Sequence, residues 1–304
     1  MNIQLHQAYS FHQQGQRDYQ EDSRFPNQDS VNSAQRFFIV CDGVGGCEKG
    51  EVASQTVCDA FSKALKRTDF SEEFTNEDFS HTLDTAYNAL DAKANDENRE
   101  MATTLAFVCF HGQGCTMAHI GDSRIYQIRP SEGVLYRSED HSMVNTMVHN
   151  GILSPEQAIN HPQGNVITRY MEPVSSDQNR CMATVMNTKN VQADDYFFLC
   201  SDGVLHCVSD DDLVDILSSE GNDSVKMQKI ADLSRESEDN NTAILVHVKE
   251  VESDLETAEE TELEEECSHT TKIIKVASQS LEEIESVQSM TSRSLWGWIK
   301  KLFI

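Results

Sequence analysis

The run Phe37-Phe38-Ile39-Val40-Cys41 stops abruptly at Asp42, which is followed by Gly43-Val44-Gly45-Gly46. Five consecutive apolar residues read as a strand buried on both faces. The chain must therefore supply cover on two sides, and the strand end delivers a carboxylate to the rim of a sheet. There the glycines leave room for close approach to the backbone. The device recurs: Tyr196-Phe197-Phe198-Leu199-Cys200 runs into Ser201-Asp202-Gly203, and Asp239-Asn240-Asn241 directly precedes Thr242-Ala243-Ile244-Leu245-Val246. A single strand-end aspartate is ordinarily a turn former. Three of them on greasy strands far apart in sequence point to carboxylates converging on hard divalent cations, which take oxygen ligands.

Composition limits what else the chain can be. With 304 residues and 38% hydrophobic content, it can bury one full core and have residues left over. Its 51 acidic against 24 basic residues, a net charge of −27, exclude a nucleic-acid backbone as partner, since that surface needs lysine and arginine in excess. Much of the acidity is local, because residues 250–290 hold 13 acidic residues and two lysines. The nine cysteines form no Cys-x-x-Cys pair, several lie within apolar runs, and the N-terminus does not read as a signal peptide. Reduced core thiols in a cytoplasmic protein are expected. The eleven histidines show no ligand spacing.

Periodicity lays out the elements. Residues 4–14 alternate weakly, as an edge strand does, and residues 15–23 pack charge into a polar loop. Helices are expected from about Glu48 to Lys66 and Asp78 to Glu97, each with one apolar face at 3.6 spacing. Strands follow over Thr103 to Phe110, Cys115 to Ile120, Ile125 to Ile128 and Val134 to Ser138, joined by tight turns and hence antiparallel. Residues 141–170 change to short helical pieces, with Ser154-Pro155 as a start signal, and read as a flap beside the site. Strands return at Met182 to Asn187 and Tyr196 to Cys200, then helices near Asp210 to Ser218 and Ser224 to Ser234, and a closing strand at Thr242 to Val248. The fold class is α+β: two stacked antiparallel sheets flanked by helices.

Taken in order, Arg17…Gln20-Glu21-Asp22, Asp42-Gly43-Val44-Gly45-Gly46, Thr103-Thr104, Gly121-Asp122-Ser123-Arg124, Asp140-His141-Ser142, Ser201-Asp202-Gly203 and Asp239-Asn240…Thr242 resemble the motif series of the type 2C metal-dependent protein serine/threonine phosphatases, in their bacterial form. Each motif is weak alone; seven in order are specific. The resemblance covers residues 1–249 and implies a β-sandwich with a binuclear Mn²⁺ or Mg²⁺ centre at one end. It implies that Asp42 bridges both ions, the Gly43 carbonyl completes one site, and Asp202 and Asp239 hold the second ion. Asp22 and Glu21 would hold bound waters, and Asp122 with Asp202 a third, looser ion. Arg17 would clamp the substrate phosphate through its planar fork. A hydroxide shared by the two ions would then attack phosphoserine or phosphothreonine of a protein, opposing a kinase.

Departures from the series bear on details. Val44 stands where eukaryotic relatives carry a proton-donating histidine, which leaves a bound water or His141 in that role, unless His141 only orients a strand end. Met101-Ala102 and Glu172 stand where glycines are usual. Two other classes remain open: a catalytically weak phosphoprotein-binding module on the same fold, and a binuclear-metal phosphohydrolase of small esters.

Beyond the resemblance, residues 250–271 read as an acidic disordered linker and residues 272–304 as an amphipathic tail. Leu295, Trp296, Ile299, Leu302 and Phe303 fall on one helical face, with Lys300 and Lys301 opposite. Residues 294–304 are too few to span a bilayer. They read either as a helix docked on its own domain or as a membrane-surface or partner-protein anchor. The expectation is a monomer in the cytoplasm, drawn to membranes only through this tail.

Overall fold

Strands that are apolar at every position need two cores, and the fold provides three. The computed structural model describes residues 1–44, 49–95, 100–158, 161–174 and 180–252. In chain order the elements are β1 (Asn2–Leu5), β2 (Ala8–Gln13), β3 (Ser23–Phe25), β4 (Ser30–Val31), β5 (Phe37–Cys41), α1 (Gly50–Leu65), α2 (Asn76–Lys93), β6 (Leu105–His111), β7 (Gly114–Ile120), β8 (Arg124–Arg129) and β9 (Gly133–Arg137). There follow α3 (Met143–His149), α4 (Pro155–Ala158), β10 (Thr184–Thr188), β11 (Tyr196–Cys200), α5 (Asp202–Leu205), α6 (Asp210–Ser218), α7 (Asp223–Ser234) and β12 (Asn241–Glu252).

Two antiparallel sheets result. One has the order β10-β7-β6-β5-β3; the other runs β4-β2-β12-β11-β8-β9, with β1 also paired to β12. Because successive side chains point to opposite faces, Phe38 and Val40 of β5 meet Phe197, Leu199 and Ile244 of the facing sheet. Phe37, Ile39 and Cys41 turn outward against Val57 and Phe61 of α1 and Phe79 and Leu90 of α2. On the far side, Tyr126, Phe198 and Leu245 are covered by Leu213 and Leu217 of α6 and Ile230 of α7. The order is helix, sheet, sheet, helix. Capping boxes at Thr75–Asp78 and Ser209–Asp212 start α2 and α6, satisfying backbone donors that have no partner within the helix.

The single edge strand expected over residues 4–14 is in fact two strands. β1 and β2 lie along one side of the long β12, at Asn2↔Glu252 and Gln13↔Asn241 respectively, with a register shift at Leu5. β2 is not the sheet edge, since β4 adds a further rung to it at Ala8 and Tyr9, whereas β1 pairs with β12. β3, β4 and the four-residue α5 were not expected, because segments of two to four residues cannot show a period. β6 begins at Leu105 rather than Thr103. The Thr103 N–H instead donates to the Met171 carbonyl at 2.9 Å and the Thr104 N–H to that of Asp42 at 2.8 Å. α2 ends at Lys93, short of the expected Glu97. Residues 250–252, expected to open the disordered linker, are instead the end of β12 and pair with β1; the rest of the linker and the amphipathic tail, residues 253–304, lie outside the described residues, as do Gly45 and Gly46. Among the described residues no helix is long and apolar enough to cross a membrane.

Phe38 is 1% exposed and meets Phe110 edge-on, with ring centroids 6.3 Å apart, in the core between the sheets. Phe38→Ala is expected to lower the free energy of unfolding in urea by about 3–5 kcal/mol. A loss below about 1 kcal/mol would mean that the sheets are not held by this core.

Candidate active site

Antiparallel pairing brings the relevant strand ends to one edge. In the smaller sheet Cys41 at the end of β5 lies opposite Ser23 at the start of β3, and Ile120 at the end of β7 opposite Leu105 at the start of β6. In the larger sheet Cys200 lies opposite both Ala243 and Arg124, and Asn241 opposite Gln13. One or two residues beyond these positions stand Asp22, Asp42, Asp122, Asp202 and Asp239. Residues separated by up to 217 positions are thus delivered to the same end of the sandwich, with both sheets contributing.

Arg17, Glu21, Asp42, Gly43, Asp122, Asp202 and Asp239 all line one cavity of about 240 Å³, together with Val44, Thr104, Asn165 and Ile167. A larger groove of about 850 Å³ runs between α1 and α2 but contains none of the strand-end aspartates, so the chemistry belongs to the smaller space. Asp22 sits behind the cavity wall at 3% exposure. Its Oδ2 accepts from the Ser201 hydroxyl at 2.8 Å, while its Oδ1 is buried without a partner.

Burial and crowding dominate the electrostatics. Burial pushes the Asp22 carboxyl up to about 7, with the nearby Asp202 adding to the shift and the Ser201 hydrogen bond opposing it. Asp122 is pushed up to about 8, first by burial and then by Asp202 and Asp140. Asp42 is raised well above the carboxylate range by burial and by Asp22, Asp202, Asp122 and Asp239 together. Asp202 is raised by burial and Asp239, and Glu21 by burial and Glu51. Four carboxylates surround Asp42, which makes it the electrostatic centre of the group.

The loop between β2 and β3 carries Arg17 to the rim. Asn240 holds this loop: its Nδ2 donates to the carbonyls of Gln14 at 2.8 Å and Tyr19 at 2.9 Å, and its Oδ1 accepts from the Glu21 N–H at 2.8 Å. Gly15 has φ +60, and a Cβ there would fall 2.1 Å from the Asp239 carbonyl oxygen, so only glycine lets the loop pass this close. Arg17 Nη2 donates to Asp239 Oδ2 at 2.6 Å. The arginine is therefore engaged by one of the carboxylates expected to hold an ion, a pairing that sequence reasoning did not propose.

His141 lies outside the cavity. Its Nδ1 accepts from the Gly121 N–H at 3.1 Å, leaving Nε2 to donate to the Thr184 hydroxyl at 2.9 Å, and its ring stacks on His119 with centroids 4.4 Å apart. Burial, His119 and Arg169 together lower its pKa to about 3, so it is neutral near neutral pH. It orients the turn that carries Asp122. Beside it, Arg124 grips Asp140 through two hydrogen bonds of 2.6 Å.

Other contributors had no role assigned from the sequence, though Thr103-Thr104 stood in the motif series. Thr103 and Thr104 brace Asp42: the Asp42 N–H donates to Thr104 Oγ1 at 3.0 Å, and Thr103 Oγ1 donates to the Asp42 carbonyl at 2.9 Å. Asn165 and Ile167 belong to the expected flap, whose return is pinned by bridges at Ser142↔Ile167 and Thr103↔Met171. No periodicity singles out these two residues.

The donor set is all oxygen, one buried carboxylate oxygen lacks a partner, and the carboxylates raise one another's affinity for positive charge. These features fit hard divalent cations. Among the described residues no three His, Cys, Asp or Glu side chains converge closely enough to hold an ion by themselves. That spacing suits ions that retain several waters.

A family model described as protein phosphatase 2C matches residues 18–227. A putative protein phosphatase 2C-type protein of Streptococcus pyogenes is 31% identical over 236 residues, covering 74% of this chain and 92% of that one. The crystal structure of the serine/threonine phosphatase Stp1 from Staphylococcus aureus superposes with a TM-score of 0.68 at 30% identity, covering 81% of this chain and 95% of that chain. The catalytic domain of the serine/threonine protein phosphatase PstP, solved in complex with two manganese ions, gives a TM-score of 0.64 at 25% identity over 82% of this chain and all of that one.

The raised carboxyls make a signed prediction for metal-stripped protein. Asp22 and Asp122 hold their protons in the fold far above the ordinary carboxylate value of 3.8. Their contribution to stability is present below about pH 4 and is lost as pH rises through about 7 to 8. In chelator the thermal midpoint should fall across this window, Asp122→Asn should flatten the fall, and saturating Mn²⁺ should remove it. A midpoint that rises over the same window would contradict this electrostatic account.

Proposed function

The chain belongs to the protein phosphatase 2C family, and we propose that it removes phosphate from phosphoserine and phosphothreonine in proteins, using two divalent cations, Mn²⁺ or Mg²⁺, held at the end of the sandwich. The observation that carries this reading is the set of five carboxylates lining one cavity with Arg17 as the single cation among the lining residues. Such a set of crowded carboxylates stays ionised only with compensating positive charge, and otherwise retains protons as the raised Asp22, Asp42 and Asp122 do. Bound cations supply acidified water as a nucleophile near neutral pH and offset charge developing on phosphorus.

The chain's own residues divide the remaining work. Asp42, surrounded by the other four aspartates, is placed to be shared between two ions, with the Gly43 carbonyl beside it. Asp202 and Asp239 would hold the second ion, Asp122 with Asp202 would hold a looser third, and Glu21 and Asp22 would orient bound water. Arg17 has two states in this scheme. In the fold it pairs with Asp239; were that carboxylate to hold a cation, the guanidinium fork would be free to take two phosphate oxygens. His141, neutral and outside the cavity, positions Asp122 rather than donating a proton. Water in the cavity is left to protonate the departing alkoxide.

With a phosphothreonine peptide and Mn²⁺, Asp42→Ala should lower kcat by orders of magnitude, while Arg17→Ala should raise KM about 10- to 100-fold, the equivalent of ~1.5–3 kcal/mol of charge-assisted hydrogen bonding. Near-normal turnover by Asp42→Ala at saturating Mn²⁺ contradicts the proposal. An unchanged KM with weakened metal binding in Arg17→Ala would restrict that residue to holding Asp239.

A further inference from the structure

The loop that carries Arg17 also presents an aromatic side chain to water from a fixed backbone. Tyr19 is 78% exposed, more than any other large apolar side chain among the described residues, and its neighbour Asp18 is exposed too. The backbone beneath them is held at several points. The Tyr19 carbonyl accepts from Asn240 Nδ2 at 2.9 Å, the Asp18 carbonyl from Gln14 Nε2 at 3.1 Å, and the Gln13 carbonyl from Gln20 Nε2 at 2.9 Å. Gln16 Nε2 adds a bond to the Glu236 carbonyl at 2.7 Å. A ring left in water on a pinned loop contributes little to the fold. It is, however, already organised for contact with something arriving at the cavity, and aromatic anchors of this kind dominate recognition surfaces.

Charge indicates what arrives. Residues 1–252 contain 40 acidic and 19 basic residues. Around the cavity mouth Arg17 is paired with Asp239, Glu51, with Lys49 3.9 Å from it, lies beside Glu21, and Glu236 and Glu238 are exposed on the adjoining segment. Cations in the cavity would offset the carboxylates that line it, but not Asp18, Glu236 and Glu238, which lie outside it and are exposed. A phosphorylated segment with acidic flanks meets the rim as like charge, whereas basic flanks are drawn in. An exposed carboxylate beside an exposed ring is suited to a guanidinium or ammonium group, which can pair with the first and lie over the second.

We propose that Asp18 and Tyr19 receive an arginine or lysine of the substrate, so that the favoured substrates are phosphoserine and phosphothreonine segments with basic residues close to the phosphorylated one. Tyr19 is two residues from Arg17, at most roughly 7 Å of backbone, which places the receiving pair within reach of side chains two or three positions from the phosphoresidue. The inference rests on the protein-phosphatase reading and narrows it.

The test compares kcat/KM for three phosphothreonine peptides of equal length flanked by arginine, alanine or glutamate, with p-nitrophenyl phosphate as a probe that has no flanks. At low salt the arginine peptide should exceed the glutamate peptide by about tenfold or more, and the ratio should shrink as salt screens the rim. Tyr19→Ala and Asp18→Asn should each reduce the arginine-to-alanine ratio severalfold and leave turnover of p-nitrophenyl phosphate unchanged. Equal rates for the three peptides, a preference for glutamate, or an arginine preference that survives both substitutions would overturn the proposal. Hydrolysis of p-nitrophenyl phosphate with no peptide cleaved would overturn the protein-phosphatase reading itself, and this inference with it.

Discussion

Mutual repulsion among Asp22, Asp42, Asp122 and Asp202, in a place where burial already opposes their charge, is the force that every neighbouring element must withstand. Side chains alone do not hold such a group together; the backbone does. The aspartates are fixed because they follow or precede strands locked into two sheets, and the sheets are locked by aromatic cores on both faces of β5 and β11. Apolar burial far from the cavity thus provides the free energy that keeps like charges close. The cavity in turn has a strong appetite for cations.

Local devices tune that arrangement. Ser201 satisfies one oxygen of Asp22 and leaves the other without a partner. Thr103 and Thr104 brace the Asp42 backbone from the segment that leads into β6, and His141 does the same for the turn at Asp122. Asn240 links the loop of Arg17 to the segment of Asp239, so this arginine and this carboxylate, which are paired with each other, sit on one hydrogen-bonded frame. A hydrogen-bonded frame of this kind keeps reorganisation small when charge develops, which is where electrostatic catalysis gains most.

The sequence was most informative where a period and a chemical interruption coincide. Phe37–Cys41 followed by Asp42, and Tyr196–Cys200 followed by Asp202, announced both a doubly covered strand and a carboxylate at its end, and these two strands have the expected limits. Short elements such as β3 and β4 left no trace, because two or three residues carry no period. The division of residues 4–14 was hidden for a different reason: both halves pair with β12, whose length beyond Val248 was masked by the acidic residues Glu250 and Glu252. Asn165 and Ile167 reach the cavity only through tertiary folding of the flap, which nothing in their local sequence encodes. The pairing of Arg17 with Asp239 spans 222 positions and belongs to the same class.

The central claim is that one carboxylate, Asp42, is shared by two cations at the meeting point of both sheets. Calorimetric titration of Mn²⁺ into metal-stripped protein measures this directly, with the unsubstituted chain and Asp42→Ala compared under the same conditions. The account predicts at least two ions bound per chain, and the simultaneous loss of two sites when Asp42 is removed. One site surviving at unchanged affinity in Asp42→Ala, or no saturable binding by the unsubstituted chain, would contradict it.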